Sequence, residues 1–322
     1  MSSENRLFIS MYHYIRDLQH SRYPGIKGLD ITLFRKQLEF FSENFNVIRM
    51  EQVIECVKNG QSLPENSLLL TFDDGYIDHY TYAMPLLEEY GFQGSFFIPG
   101  KTFTTHQLLD VNKLHYLLAC ADINQLVADV KERIDYYRGV EYDYPTSEEL
   151  WEQYAVANRF DNKETIFVKR VLQTGLPERL RNEIASYLFQ KYMDITEEQL
   201  AFDLYMTPEQ IQTMKRHGMF IGIHGYDHYW LGNLSQTEMK QDIVRSLETM
   251  KDYIDQDEWV MNYPYGSYND DVLRFIQEKG ACIGLTTEVR VADIGKDSSL
   301  CLPRLDCNDF PPKGDNYLGL LS

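Results

Sequence analysis

The chain has 322 residues, 43% hydrophobic and 25% charged, with 31 Lys plus Arg against 49 Asp plus Glu and a formal net charge of −18. That length carries one large domain or two small ones, and the composition is that of an ordinary globular protein. The acidic balance excludes a nucleic-acid partner, which needs a basic footprint, and leaves an anionic ligand only a local cationic or metal pocket.

The N-terminal Met1-Ser2-Ser3-Glu4-Asn5-Arg6 lacks the basic start of a signal peptide, and the apolar run Leu7–Met11 is too short for one. No run reaches the ~18 apolar residues of a membrane span, so the expectation is a cytoplasmic protein without a transmembrane segment. Leu7–Met11 reads as a buried strand running into Tyr12-His13-Tyr14. Phe34–Phe45 carries apolar residues at helical spacing (Phe34, Leu38, Phe41) and ends in a strand-like Phe45–Ile48. Gln52–Val57 is predicted as a short helix stopped by Asn59-Gly60. Ser67–Phe72 is a buried strand that delivers Asp73-Asp74-Gly75. A helix over Tyr82–Tyr90, stopped by Gly91, and a strand over Gly94–Pro99 complete a βαβ unit, which predicts parallel pairing.

From residue 101 to 207 the character turns helical, with candidate helices at Leu114–Leu118, Ile123–Tyr137, Glu148–Asn158, Lys163–Gln173, Pro177–Lys191 and Glu197–Phe202. This stretch reads as an insertion between a first barrel part, 1–100, and a remainder, 208–322. The alternation then resumes: helix Pro208–Lys215, strand Met219–Ile223, a long helix Ser235–Ile254 opened by the capping box Ser235-Gln236-Thr237-Glu238, strand Trp259–Asn262, helix Asp270–Lys279 and strand Ala281–Leu285. The five cysteines (Cys56, Cys120, Cys282, Cys301, Cys307) show no C-x-x-C pair and read as reduced thiols.

Three features each follow a strand: Asp73-Asp74, His224-Gly225-Tyr226-Asp227-His228, and Tyr263-Pro264-Tyr265-Gly266. Adjacent carboxylates at a buried strand end are costly unless a cation or hydrogen bonds compensate them. In parallel α/β barrels, strand carboxyl ends gather at one mouth. One Asp and two His, here Asp74, His224 and His228, make a ligand set of the hydrolytic metal type that suits zinc, though not uniquely, and they leave Asp73 to act as a base. Taken singly, Asp-Asp-Gly is usually a turn and H-x-x-x-H a solvated helix face; their order after successive strands is what departs from chance. His20, His79, His106, His115 and His217 read as structural or surface residues, with His79 the one to test as a substrate contact.

Together, Thr-Phe-Asp-Asp-Gly, the His pair and the Tyr-Pro-Tyr-Gly loop resemble the polysaccharide deacetylases, the family 4 carbohydrate esterases with a NodB-homology domain, over most of the chain outside 101–207. The resemblance implies an α/β fold, a distorted (β/α)7-type TIM-like barrel with a large helical insertion, and metal-dependent hydrolysis of acetyl groups on sugars. Two departures stand out: Gly225 where the family has Ser or Thr, which removes a hydrogen bond supporting the site, and Asn262 where it has an Arg that orients the catalytic Asp. The usual C-terminal motif with its catalytic His is also missing.

Phe8–His13, an apolar strand ending in His, resembles the circularly permuted branch that includes the poly-N-acetylglucosamine deacetylases, as does Ser299–Arg304. On that resemblance His13 becomes the acid, Arg304 the positive charge beside Asp73, Asp73 the base, and the backbone N–H of Tyr265 an oxyanion donor. The implied cofactor is Zn2+, with Co2+, Ni2+, Mn2+ or Fe2+ as alternatives. The implied function is removal of an N-acetyl group from an amino sugar (a saccharide, or a nucleotide- or lipid-linked form) in cell-surface glycan biosynthesis. Without a secretion signal, the linked cytoplasmic intermediates are the expected substrates, and a homo-oligomer through the insertion is a further expectation. Gly225 and Asn262 favour a second reading, an inactive carbohydrate-binding barrel; an amidase or deformylase is a third.

Overall fold

A computed structural model describes residues 6–139, 142–158 and 161–319. Contacts divide the chain into two units: one comprises the chain up to Asp17, Gly28–His106 and Leu204 onward, and the other comprises Leu18–Lys27 and Gln107–Asp203.

The first unit is built on strands β1 (Arg6–Tyr12), β2 (Ser67–Phe72), β3 (Gly94–Ile98), β4 (Phe220–Ile223), β5 (Trp259–Asn262) and β6 (Ala281–Leu285). They are hydrogen-bonded in that order and every pair is parallel, as the βαβ spacing predicts. The segment after β6 curls the sheet: Leu302 bridges Leu285 of β6, and Leu305 and Asp306 pair in parallel with Ser10 and Met11 of β1. Residues 302–306 therefore link the last strand to the first, and the result is the distorted (β/α) barrel expected.

Both faces of these strands are apolar, as a sheet covered on both sides requires. Leu7, Ile9, Leu69, Phe97, Val260 and Ile283 fall in one buried cluster. Phe8, Tyr12, Leu70, Phe72, Phe96 and Met261 fall in another with helix residues such as Phe34, Leu38, Ile211 and Ile243. The strand period of two assigns each residue to its face and extends past the strand ends. Leu7-Ile9-Met11 leads to His13, Leu69-Thr71 to Asp73, Gly222 to His224 and Val260 to Asn262. Gly222 lets this row close up, because a Cβ there would lie 2.4 Å from the Phe97 ring.

Helix Ile31–Asn44 starts at Asp30, whose carboxylate accepts the Thr32 N–H, and helix Gln236–Met250 starts at the Ser235–Glu238 capping box read in the sequence. The helix expected over Tyr82–Tyr90 instead opens as a wide turn at His79–Ala83 and becomes regular only at Met84–Glu89. A small parallel sheet, Ile15–Arg16 with Leu29–Asp30, has no counterpart in the sequence reading, because two-residue strands show no periodicity. The second unit holds helices Asp110–Cys120, Ile123–Tyr137, Ser147–Tyr154, Lys163–Arg170 and Glu178–Tyr192 around Leu117, Leu126, Ile134, Phe167 and Leu188. Among the described residues, no helix is long and apolar enough to cross a membrane.

Candidate active site

Strand register builds the site. Tyr12 of β1 pairs with Phe72 of β2, and the Asp73 N–H donates to Tyr12 O at 2.9 Å, so the next residues on the two strands, His13 and Asp73, lie side by side. His13 Nε2 is 3.9 Å from Asp73 Oδ2. On the other side, Ile223 pairs with Met261, which sets His224 beside Asn262.

Asp73 is 2% exposed and Arg304 fully buried. The guanidinium grips the carboxylate with two bonds, Nη1 to Oδ1 and Nη2 to Oδ2, both 2.8 Å. Asn262 Nδ2 donates to Oδ1 at 2.6 Å, and Arg304 Nη2 also donates to Asn262 Oδ1 at 3.0 Å. Burial pushes the Asp73 carboxyl up, but the charge and hydrogen bonds of Arg304 outweigh it and hold the group below the usual carboxylate range. Arg304 arrives from the 302–306 segment that closes the barrel. The positive charge that Asn262 fails to supply thus comes from another part of the chain, and Asn262 bonds to both members of the pair.

Asp74 turns away from the strand. Its φ of 76° is left-handed, a conformation that costs a non-glycine residue of order 1–3 kcal/mol and gathers at functional sites. His228 (φ 62°) and Tyr265 (φ 58°) share that conformation. The turn points Asp74 Oδ1 at His224 Nε2 (3.4 Å) and His228 Nε2 (3.2 Å). The partner oxygen Oδ2 accepts the Tyr76 hydroxyl at 2.6 Å. His224 Nδ1–H donates to Asn262 O at 2.7 Å, which leaves Nε2 as the bare nitrogen. Asp74 Oδ1 is buried and accepts no hydrogen bond. One oxygen and two nitrogens thus converge within 4.8 Å of one another, and such buried acceptors are stable together when a cation lies between them. The three residues fit a divalent metal, and Tyr76 and the Asn262 carbonyl would be the outer partners that orient such ligands.

The loop between the two histidines is held from helix Gln236–Met250. Asp242 is buried, and its carboxylate accepts the Tyr226 N–H at 3.0 Å and the Asp227 N–H at 2.8 Å. Gly225 (φ 68°) is needed beside it, because a Cβ would lie 2.9 Å from Asp242 Oδ2. These two bonds hold the loop next to Gly225, which has no side chain to contribute one. Lys101 is buried nearby, with Nζ 3.5 Å from Asp227 Oδ1. The Tyr265 ring stacks on Trp230 (4.5 Å, 8°) and meets His228 edge-on at 4.7 Å. His79, the suggested substrate contact, is instead fully buried and bonds to the main chain. His217 is paired with Glu88 on the surface. Tyr76, Asp242 and Lys101 were not singled out in the sequence; only Tyr76, two residues past the Asp pair, carried a positional hint.

A family model described as polysaccharide deacetylase matches residues 60–133 and 142–282. The Bacillus subtilis (strain 168) protein YxkH, itself named for that family, is 19% identical over 284 residues, which is 88% of this chain and 65% of YxkH. The poly-β-1,6-N-acetyl-D-glucosamine N-deacetylase of Escherichia coli (strain K12) is 37% identical over 60 residues, 18% of this chain and 9% of that protein. This chain therefore spans less than two thirds of either relative. Among solved structures, Streptococcus pyogenes deacetylase PplD in complex with acetate superposes with a TM-score of 0.58 at 17% identity, covering 99% of both chains. IcaB from Ammonifex degensii gives 0.55 at 16% identity, covering 98% of this chain and 95% of that one. At these identities the likeness is one of fold.

Proposed function

The chain belongs to the polysaccharide deacetylase family, and on that premise we propose that it is a metal-dependent carbohydrate N-deacetylase, hydrolysing the acetamido group of an N-acetylated amino sugar. The observation that carries this reading is the division of labour between adjacent carboxylates. Asp74 faces two imidazoles, whereas Asp73 is turned to Arg304 and Asn262 and kept ionised.

Asp74, His224 and His228 would hold the ion, which from its nitrogen and oxygen donors we assign as zinc; when bound it supplies Lewis-acid activation of an acyl oxygen and of water. Asp73 accepts the proton of the attacking water, and Arg304 fixes its orientation and charge. The Tyr265 N–H donates to the acyl oxygen as that atom gains charge. His13, beside Asp73 at the barrel mouth, protonates the amine nitrogen as the carbon–nitrogen bond breaks. Gly225 and Asn262, the residues that favoured an inactive barrel, are both built into hydrogen-bonded support, which supports retained chemistry.

The substrate we assign is an N-acetylglucosamine-type saccharide of a cell-surface glycan, with nucleotide- and lipid-linked forms as its alternatives. The test is acetate release, and mass loss of one acetyl group per turnover, from β-linked N-acetylglucosamine oligomers and from N-acetylated nucleotide sugars, with zinc-loaded protein. Tight metal binding without acetate release from any acetamido sugar would return the reading to a binding protein.

A further inference from the structure

We propose that His79 is a positioning residue for the acid His13, acting through the His13 main chain; the inference rests on His13 being the acid of the proposed reaction. His13 sits where the chain leaves one sheet for another. The carbonyl before it, on Tyr12, accepts the Asp73 N–H in the barrel, and the carbonyl after it, on Tyr14, accepts the Leu29 N–H in the small sheet, both at 2.9 Å. The His13 carbonyl belongs to neither ladder. His79 takes it, with Nε2 2.7 Å from His13 O. The His13 imidazole itself is 40% exposed and 3.9 Å from Asp73, so its placement depends on how its backbone is held.

Three features of His79 match this task and no substrate role. Its ring is fully buried, with Phe72, Tyr76 and Phe96 each 5.6 Å away between centroids. A carbonyl partner requires the proton on Nε2, which leaves Nδ1 as a bare acceptor, and Nδ1 is buried with no hydrogen-bond partner. A phenylalanine would fill the same aromatic cage without stranding a nitrogen, so the imidazole is explained by the one N–H it offers. His79 also opens the wide turn His79–Ala83, in which the Met84 N–H reaches back to His79 O, and turns of this kind recur at functional sites.

The test compares His79→Phe, His79→Gln and His13→Ala in zinc-loaded protein on an N-acetylglucosamine oligomer, with zinc affinity measured alongside. His79→Phe is expected to lower kcat about tenfold or more, with KM and zinc affinity within about twofold. His79→Gln, whose amide N–H reaches the same carbonyl, is expected to recover most of kcat. The double variant His13→Ala/His79→Phe is expected to be no slower than His13→Ala alone. Should the Phe variant not fold, His79→Asn replaces it, since its shorter amide cannot span to the carbonyl. A wild-type kcat in His79→Phe beside a slow His13→Ala overturns the inference, and so do equal losses in the Phe and Gln variants. A normal rate in His13→Ala removes the acid itself, a distinct failure that takes this inference with it.

Discussion

Replacing Arg304 with methionine tests the electrostatic core of the site. The guanidinium is fully buried and donates to Thr286 O, Thr71 Oγ1, both Asp73 oxygens and Asn262 Oδ1. Methionine restores the volume and none of the charge, and it leaves a carboxylate that is 2% exposed with only Asn262 as a donor from this cluster. Removing one partner of a buried pair costs about 3–5 kcal/mol, so Arg304→Met should lose that much in urea unfolding at pH 8. The sign with pH follows from Asp73. With Arg304 its carboxyl lies below the usual range, which adds stability above the unfolded pKa of about 3.9 that is lost as pH falls through the native value. Without Arg304, burial loses its main opponent and raises that pKa, so the deficit should shrink as pH falls and Asp73 takes up a proton. Asp73→Asn in the Arg304→Met background removes the stranded charge and should recover about 2 kcal/mol as a coupling term. A deficit under about 1 kcal/mol for Arg304→Met at pH 8, or no recovery in the double variant, would refute the pairing as the source of stability.

Asp73→Asn should retain zinc and lose turnover by about 10²–10⁴-fold, the range of general acid–base catalysis; wild-type turnover would remove the base assignment. His13→Ala should slow amide hydrolysis over the same range but spare an aryl acetate, whose leaving group needs no proton; equal losses on both would contradict the acid role. Tyr76→Phe removes the 2.6 Å bond to Asp74 Oδ2 and should weaken zinc binding about 10–100-fold in chelator competition, with unchanged affinity the contrary result. Two buried groups should tilt stability with pH in opposite senses. Burial pushes His79 down to about 4, so the unfolded chain binds the extra proton and stability falls by on the order of 3 kcal/mol as pH drops from about 6.5 to 4. Burial pushes Asp242 up to about 6, so the native state holds the extra proton and stability falls by on the order of 3 kcal/mol as pH rises from about 4 to 6. The stability difference from wild type should therefore shift in favour of His79→Phe as pH falls toward about 4.5 and in favour of Asp242→Asn as pH rises toward about 7.5, whatever each variant loses in hydrogen bonds, and variants with the wild-type pH slope would show that neither group titrates as argued.

What the sequence made legible depended on how local each signal was. Asp73, Asp74, His224 and His228 follow strands whose apolar runs are unmistakable, and a parallel barrel brings such ends together. His13 was a His after a strand, marked as the acid only by the resemblance to the permuted branch; its neighbour is set by the register Tyr12 with Phe72, which no single-strand pattern contains. Arg304 lies in a segment with one two-residue strand, and its reach to Asp73 exists only because residues 302–306 close the barrel. Tyr76, His79 and Asp242 act on partners 2, 66, and 15 or 16 positions away, through side chains that look like ordinary core or helix residues. The small sheet at Ile15–Arg16 escaped because two-residue strands show no periodicity, although it sets the place where His13 leaves the barrel.

The two departures from the family pattern show why a site should be judged by its contacts and not by residue identity. Asn262 cannot carry the charge of an arginine, but its side chain donates to Asp73 and accepts from Arg304 while its main-chain oxygen fixes the His224 tautomer. One residue thereby couples the proposed base, Asp73, to a proposed metal ligand, His224. Gly225 vacates the space that the Asp242 carboxylate occupies, and that carboxylate ties down the loop between the two histidines. Restoring the family residue at either position alone would therefore be destructive. Asn262→Arg would bring a second buried cation against Arg304, and Gly225→Ser would drive a Cβ into Asp242 from a left-handed φ. Each departure is matched in this chain by a residue from a distant segment, Arg304 beside Asn262 and Asp242 beside Gly225.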